Sequence, residues 1–185
     1  MKNQIIELPA TTFAGLANHF RDLHPEGIKG AVDVHSPDFY VGAGAKRFAY
    51  IAGDSDGGRV TAVWAILPTG EIATLVKNPG AVVPLDDVFG SIRQQGGKWL
   101  YALSTEKLVD LYTSQDYVPV AWLQWDNSQA PDTWDYNTYG RPSPAFFVHR
   151  YYLTPADCET YEAGRHMVPT YDDGLNLVLR LVSRV

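Results

Sequence analysis

Three short apolar runs, close together in the chain and separated by turn-forming residues, constrain the fold most strongly. The runs are residues 47–52, 60–67 and 71–76. Residues 53–58, which are rich in Gly and Asp, separate the first two, and Pro68-Thr69-Gly70 separates the last two. Apolar runs of this length, broken by Gly, Pro and Asp, are typical of strands joined by tight turns. The pattern therefore predicts an antiparallel hairpin followed by a third strand.

Apolar periodicity and turn residues place further elements around these three strands. The predicted elements are a strand at 5–8, a helix from Thr11 or Thr12 to about residue 23, a short helix or loop within 24–45, helices at 85–95 and 106–114, and strands at 99–103, 117–125 and 145–153. Residues 175–182 fit either a strand or a helix. This order predicts an α+β fold, with a mixed, mostly antiparallel central sheet flanked by helices. We expect a single domain over residues 1–153, with residues 154–185 as a C-terminal extension packed on it.

Charge and cysteine content exclude several classes of protein. The net charge of −6 argues against a general nucleic-acid binder, which needs a basic face. Cys158 is the single cysteine, so neither a disulfide framework nor a cysteine metal cluster is predicted. His19, His24 and His35 show no metal-ligand spacing, and we predict no metal site. The sequence has neither a signal-peptide pattern nor an apolar membrane span, which predicts a cytoplasmic protein.

Residues 98–122, KWLYALSTEKLVDLYTSQDYVPVAW, carry the most specific pattern. They resemble the strand, short helix and strand of the GNAT acyl-CoA N-acyltransferases, in which the helix ends in an LxxxYxxxGF-type phrase. Leu108 and Tyr112 occupy the helix positions, Asp116-Tyr117 stands where Gly-Phe is commonest, and Val118-Pro119-Val120 begins the second strand. The resemblance implies that strands 71–76 and 99–103 are parallel neighbours that splay apart at one end.

A second phrase is similar to GNAT-like proteins of bacteriophages and mobile elements. It comprises Trp125-Asp126-Asn127, Ala130-Pro131, Trp134-Asp135-Tyr136, Gly140 and Pro142. A phage origin would place the protein in the host cytoplasm.

The GNAT resemblance implies acetyl-CoA as a co-substrate, bound by its pyrophosphate at a loop before a helix. Backbone N–H groups at a helix N-terminus attract such an anion. The corresponding cofactor-binding positions here are Leu75, Val76, Lys77, Gly80, Ala81 and Val82.

The same loop also departs from the family pattern. Val82 replaces a small residue and is expected to crowd a phosphate, and Pro79 and Pro84 each remove an N–H donor. Asp86 and Asp87 would compete with a pyrophosphate for the helix N-terminus. Pro84 and the two aspartates therefore also fit a simple helix start that binds nothing.

Two residues are catalytic candidates by resemblance, each beside a structural alternative. Tyr112 would protonate the departing CoA thiolate, or it is a core tyrosine on the apolar face of its helix. Glu71 would act as general base for the acceptor amine, or it is a surface residue after a glycine turn.

Two functions follow from this combination of features. The first is an N-acyltransferase, most simply an N-acetyltransferase, that moves an acyl group from acyl-CoA to an amine. The alternative is an inactive GNAT-fold interaction or structural protein, with the aromatic residues of 122–139 as its contact surface. The partner is accordingly an amine acceptor or a protein, a second copy of this chain included, and no membrane partner is expected.

Overall fold

The chain is divided into two units, running from Met1 to Gly97 and from Lys98 to Val185. The computed structural model describes residues 3–53 and 58–184. The first unit contains β1 (Gln4–Glu7), α1 (Ala10–Asp22), α2 (Glu26–Lys29), α3 (Pro37–Gly42), β2 (Lys46–Ala52), β3 (Arg59–Ile66), β4 (Ile72–Lys77) and α4 (Leu85–Gln94). The second contains β5 (Trp99–Leu103), α5 (Glu106–Ser114), β6 (Tyr117–Trp122), α6 (Tyr136–Tyr139), β7 (Pro144–His149), α7 (Pro155–Glu162) and α8 (Tyr171–Val182). Strands and helices follow one another in the predicted order, and the α+β fold class is confirmed.

The sheet of the first unit has the order β1-β2-β3-β4, and each neighbouring pair is antiparallel. Ala49, Val63 and Val76 lie opposite one another across β2, β3 and β4. They are buried in one cluster with Phe13 and Ala17, which lie about one turn apart on α1. The predicted meander is therefore present, although its first turn, residues 53–58, lies largely outside the described residues.

The sheet of the second unit has the order β5-β7-β6, again with antiparallel pairs. Val178 and Leu181 of α8 are fully buried against Trp99, Phe146 and Val148. This settles the open choice at residues 175–182 in favour of a helix. Its N-cap is Thr170, whose hydroxyl oxygen accepts a hydrogen bond from the N–H of Asp173.

The predicted parallel, splayed arrangement of β4 and β5 stays a prediction, because the two strands lie in different units. β4 ends the order of the first sheet and β5 begins that of the second, so the strands form two sheets instead of one mixed sheet. A helical connection permits a parallel crossover, but the strand pattern does not encode which backbone groups pair. Helices α7 and α8 pack on β6 and β7 within the second unit.

Several element ends differ from the prediction for local reasons. β7 stops at His149, and residues 150–152 form a 3₁₀ turn, because the N–H of Arg150 bonds to the carbonyl of Asp116 and the His149 side chain accepts from the N–H of Tyr151. β6 ends at Trp122. The N-cap of α1 is Pro9, not Thr11 or Thr12, and it provides no side-chain cap.

Candidate active site

β4 is the edge strand from which the candidate loop departs. The N–H of Asn78, the residue after β4, bonds to the carbonyl of Thr61 on β3 at 2.9 Å. Alternate residues of an antiparallel strand direct their N–H groups to opposite sides. The N–H of Val76 therefore also faces β3, whereas those of Leu75 and Lys77 face away from it. Leu75 and Lys77 thus present backbone donors along the edge of the sheet.

The loop after β4, residues 78–84, is ordered by its own first residue. The N–H of Gly80 donates to Oδ1 of Asn78 at 3.0 Å, and the N–H of Ala81 donates to the Asn78 carbonyl at 3.0 Å. Asn78 is itself buried, at 6% exposure. Two of the predicted cradle donors are thus engaged within the loop in this conformation.

Helix α4 begins directly after the loop without a side-chain cap. Its N-cap is Pro84, which has no side-chain acceptor and no N–H of its own. A capping box needs an N–H on the N-cap residue, and so Asp87, the third helical residue, cannot complete one. The predicted helix start at Pro84 is therefore only partly capped. The carboxylates of Asp86 and Asp87 lie in the first turn, where they interact favourably with the helix dipole, but the N-cap residue makes no side-chain hydrogen bond.

Lys77 supplies a positive charge beside this loop. Its Nζ donates to the carbonyl of Ala81 at 3.4 Å, so the side chain spans the loop. The pKa of His24 is lowered, mainly by burial. A hydrogen bond with the Lys77 backbone opposes this shift, whereas the Lys77 charge adds to it. Val82 is 92% exposed, so its side chain extends into solvent instead of packing on the loop.

One buried polar atom lies at the base of the loop. Thr61, whose carbonyl holds Asn78, is 4% exposed, and its Oγ1 has no hydrogen-bond partner among the described residues. A buried hydroxyl in this condition costs about 1–3 kcal/mol unless something bonds to it.

Glu71 lies immediately before β4, at the opposite end of the strand from the loop. It is half-buried, and burial, followed by the neighbouring Asp33 carboxylate, raises its pKa. A carboxylate whose pKa moves up towards neutrality is a better proton acceptor for catalysis at neutral pH. This environment differs from the fully solvated surface position that the preceding glycine turn also suggested.

A chain of hydrogen bonds fixes Asp33 beside β4. The Thr74 hydroxyl donates to the carbonyl of Asp33 at 3.2 Å and accepts from the Tyr40 hydroxyl at 2.8 Å. The Tyr40 oxygen in turn accepts from the N–H of His35 at 3.0 Å. Thr74 and Tyr40 are buried, so the chain holds residues 33–35 against the strand that carries Glu71. No sequence signal indicated this contact, because its members are 34 or more residues apart from Thr74.

Tyr112 belongs to the second unit, on α5. It is 8% exposed, and its ring packs on Phe147 of β7 with the centroids 5.1 Å apart. Burial raises the pKa of Tyr112 to about 12. Tyr112 thus lies in the core, as the structural alternative described. Its hydroxyl retains its proton throughout the physiological pH range.

The backbone at the second residue after α5 supports the alignment of the LxxxYxxxGF-type phrase. Asp116 has φ of 63° and is the single non-glycine residue with positive φ in the described part of the chain. Gly is the residue that adopts this left-handed conformation most readily at the end of a helix. Asp116 therefore adopts the left-handed backbone conformation that favours the Gly usually found at this point of the phrase.

The aromatic residues of the segment after β6 mostly contact one another. Trp125, Trp134 and Tyr139 form a chain with centroids 5.4 and 5.3 Å apart, and Trp134 is 5% exposed. Nε1 of Trp134 donates to the carbonyl of Gly140 at 3.0 Å. The segment is therefore a small packed cluster, with Tyr136 as its exposed member, at 38%.

Within residues 3–53 and 58–184, no three or more His, Cys, Asp or Glu side chains are grouped so that they could hold a metal ion. Across the same residues, no helix is long and apolar enough to cross a membrane.

Comparisons with known proteins return acetyltransferases of known structure. No protein-family model matches the sequence, and no curated protein does. The chain is similar to a GCN5-related N-acetyltransferase from Rhodopseudomonas palustris, with 11% identity, 80% of this chain and 96% of that chain covered, and a TM-score of 0.48. It is equally similar to a Bacillus subtilis acetyltransferase solved in complex with CoA (12%, 80% and 98%, 0.48). A third match is a ribosomal-protein-alanine N-acetyltransferase from Brucella melitensis (10%, 78% and 97%, 0.48).

The similar structures are acetyltransferases. At these identities and TM-scores, the likeness transfers neither an activity nor a residue role to this chain. The assignment of function therefore depends on the chemistry of β4, the loop after it, and Tyr112.

Proposed function

We propose that the protein is an N-acyltransferase that moves an acyl group, acetyl in the simplest case, from acyl-CoA to an amine. The observation that carries the proposal is the arrangement at the end of β4. An edge strand with outward N–H groups leads through a lysine-flanked glycine loop into a helix of ten residues whose N-cap supplies no side-chain acceptor. Such a helix start attracts an anionic group by its dipole and its backbone donors.

The residues present fit an acyl-CoA at two places. Lys77 and the start of α4 would hold the pyrophosphate, with the side-chain charge adding to the helix dipole. The outward N–H groups of Leu75 or Lys77 would donate to the acyl carbonyl oxygen. When bound, acyl-CoA supplies a thioester, whose carbonyl carbon is open to attack by an amine.

The protein's own groups then handle the charge and the protons. Glu71, with its raised pKa, takes a proton from the acceptor ammonium, which frees the nitrogen lone pair for attack on the carbonyl carbon. The backbone donors of β4 stabilise the negative charge that develops on the carbonyl oxygen as the C–N bond forms and the C–S bond breaks. The nitrogen releases its second proton to solvent, and the departing sulfur takes up one. The products are an amide and free CoA thiol.

Tyr112 lies in the second unit, and its role as general acid, which the resemblance implies, stays a prediction. The high pKa of Tyr112 makes it a weak acid, but it is fully protonated at the pH of catalysis. It can therefore donate to a thiolate without a change of protonation state beforehand.

The test is a transfer assay with acetyl-CoA and a panel of primary amines, including spermidine, lysine-containing peptides and aminosugars. The proposal predicts equal release of free thiol and N-acetylated amine for at least one class, and loss of both with Glu71→Gln. Thiol release without an acetylated product would indicate hydrolysis and would contradict an amine acceptor.

The packed aromatic cluster favours a second candidate, an interaction module on the same fold. Tyr136 is exposed at its surface, and Arg141 lies over the Tyr136 ring at 4.9 Å. Tyrosine and arginine are enriched at protein interfaces. Binding of a protein partner that Tyr136→Ala abolishes, together with no affinity for acetyl-CoA, would support this candidate over the enzyme.

A further inference from the structure

The carboxylate of Asp87 is turned towards the middle of the first sheet. The hydroxyl of Tyr50 donates a hydrogen bond to Oδ2 of Asp87 at 3.3 Å. Tyr50 lies on β2, which is separated from β4 by β3 in the order of the sheet. Since the loop leaves from the end of β4, the contact directs the Asp87 carboxylate away from the strand that bears the loop.

Tyr50 is well suited to hold this position. Its side chain is 1% exposed, and its backbone is paired with Ile5 on one side and Ala62 on the other. A side chain that is packed on all sides cannot follow a mobile partner, so Asp87 adapts to Tyr50 rather than the reverse. Burial is the largest of the effects that raise the pKa of Tyr50, and so the hydroxyl remains a donor at neutral pH.

Without this contact, the Asp87 carboxylate would interact with the start of α4. A carboxylate in the first helical turn is attracted by the N–H groups there, and this helix receives no side-chain acceptor from its N-cap residue. A released Asp87 would therefore move towards the same donors that the proposed pyrophosphate requires.

We infer that Tyr50 is a positioning residue for the proposed acyl-CoA site: it holds Asp87 aside so that the start of α4 stays open to an anion. The inference rests on the proposed function and adds a residue that no part of the sequence pattern indicated. It also reduces the objection raised by the two aspartates, because Tyr50 holds the carboxylate of Asp87. Both aspartates are exposed, so substitution of either leaves the core intact.

The experiment is a titration of acetyl-CoA into the wild-type protein, Tyr50→Phe, and Tyr50→Phe/Asp87→Asn. Tyr50→Phe is expected to raise the Kd by about 2–5-fold, the range of a carboxylate's interaction with a helix N-terminus. The double variant is expected to return to the wild-type Kd, because the released side chain no longer carries a charge. A Kd that stays raised in the double variant would show that the hydroxyl acts on the fold and not through Asp87, which overturns the inference.

A matched pair of surface variants tests the same point without touching Tyr50. Asp86→Asn should tighten binding by about 2–5-fold, whereas Asp87→Asn should change it by less than about twofold. Equal tightening by both would overturn the inference, as would an unchanged Kd in Tyr50→Phe. A wild-type protein that does not bind acetyl-CoA would overturn the proposed function, and the inference with it.

Discussion

Alkaline pH should destabilise the protein through Tyr112 in a way that one substitution can isolate. Burial raises the pKa of this phenol from 10.0 to about 12. The unfolded chain therefore loses the proton first, and the stabilisation that is complete below pH 10 disappears as the pH rises through 12. A shift of two units corresponds to about 2.7 kcal/mol in full, of which about 1.3 kcal/mol is lost between pH 9 and pH 11.

The assay is urea unfolding of the wild-type protein and Tyr112→Phe at both pH values. At pH 9 the variant should be less stable by about 0.5–1.5 kcal/mol at most, the usual cost of one lost hydrogen bond. Every other titrating group is common to the two proteins and cancels in the comparison. The wild type should therefore lose about 1.3 kcal/mol more than the variant on going to pH 11. Equal losses would show that the hydroxyl titrates as in water, which would refute the burial argument.

Three further predictions follow from single residues. Glu71→Gln should raise the unfolding free energy at pH 7, because a carboxyl whose pKa is raised by burial destabilises the fold when it is ionised; urea unfolding measures this effect. The same substitution should lower the transfer rate by about 10²–10⁴-fold in the thiol-release assay. Asp116→Gly should be more stable than Asp116→Val by about 1–2 kcal/mol in thermal unfolding, since φ at this position is 63°. Gly174→Ala should cost about 1–3 kcal/mol despite the better helix propensity of Ala, because the new Cβ would lie 2.7 Å from Cδ2 of the buried Phe146; an unchanged midpoint would contradict this close packing.

Local sequence patterns predicted most elements because their causes are local. The meander of β2, β3 and β4 follows from apolar runs and turn residues, and α5 and β6 follow from the phrase around Tyr112. Asp116 illustrates the strength of that phrase, since the backbone keeps the left-handed turn although the usual Gly is absent. Helix α7 was missed because Pro155–Glu162 has almost no apolar face; its signal was the capping box of Thr154 and Asp157.

The remaining features of the candidate site depend on contacts between distant residues. Burial raises the pKa of Glu71, and Asp33 adds to this effect across 38 positions of sequence; Tyr50 contacts Asp87 across 37. Neither pair has a spacing that a helix or strand period would reveal. The orientation of the backbone donors of Leu75 and Lys77 likewise depends on the register between β3 and β4. The sequence was sufficient to locate the strand and the loop, but which backbone N–H groups face outward depends on how the strands pair.

The most direct measurement is isothermal titration of acetyl-CoA into the pure wild-type protein, with Lys77→Ala as the comparison. The account predicts saturable binding of one acetyl-CoA per chain, weakened in the variant and by added salt, because a charged side chain and a helix N-terminus hold the pyrophosphate. Affinity that is identical in the two proteins would place the cofactor elsewhere. The absence of any saturable heat or thermal stabilisation at millimolar acetyl-CoA would contradict the central claim that this chain is an acyl-CoA-dependent transferase.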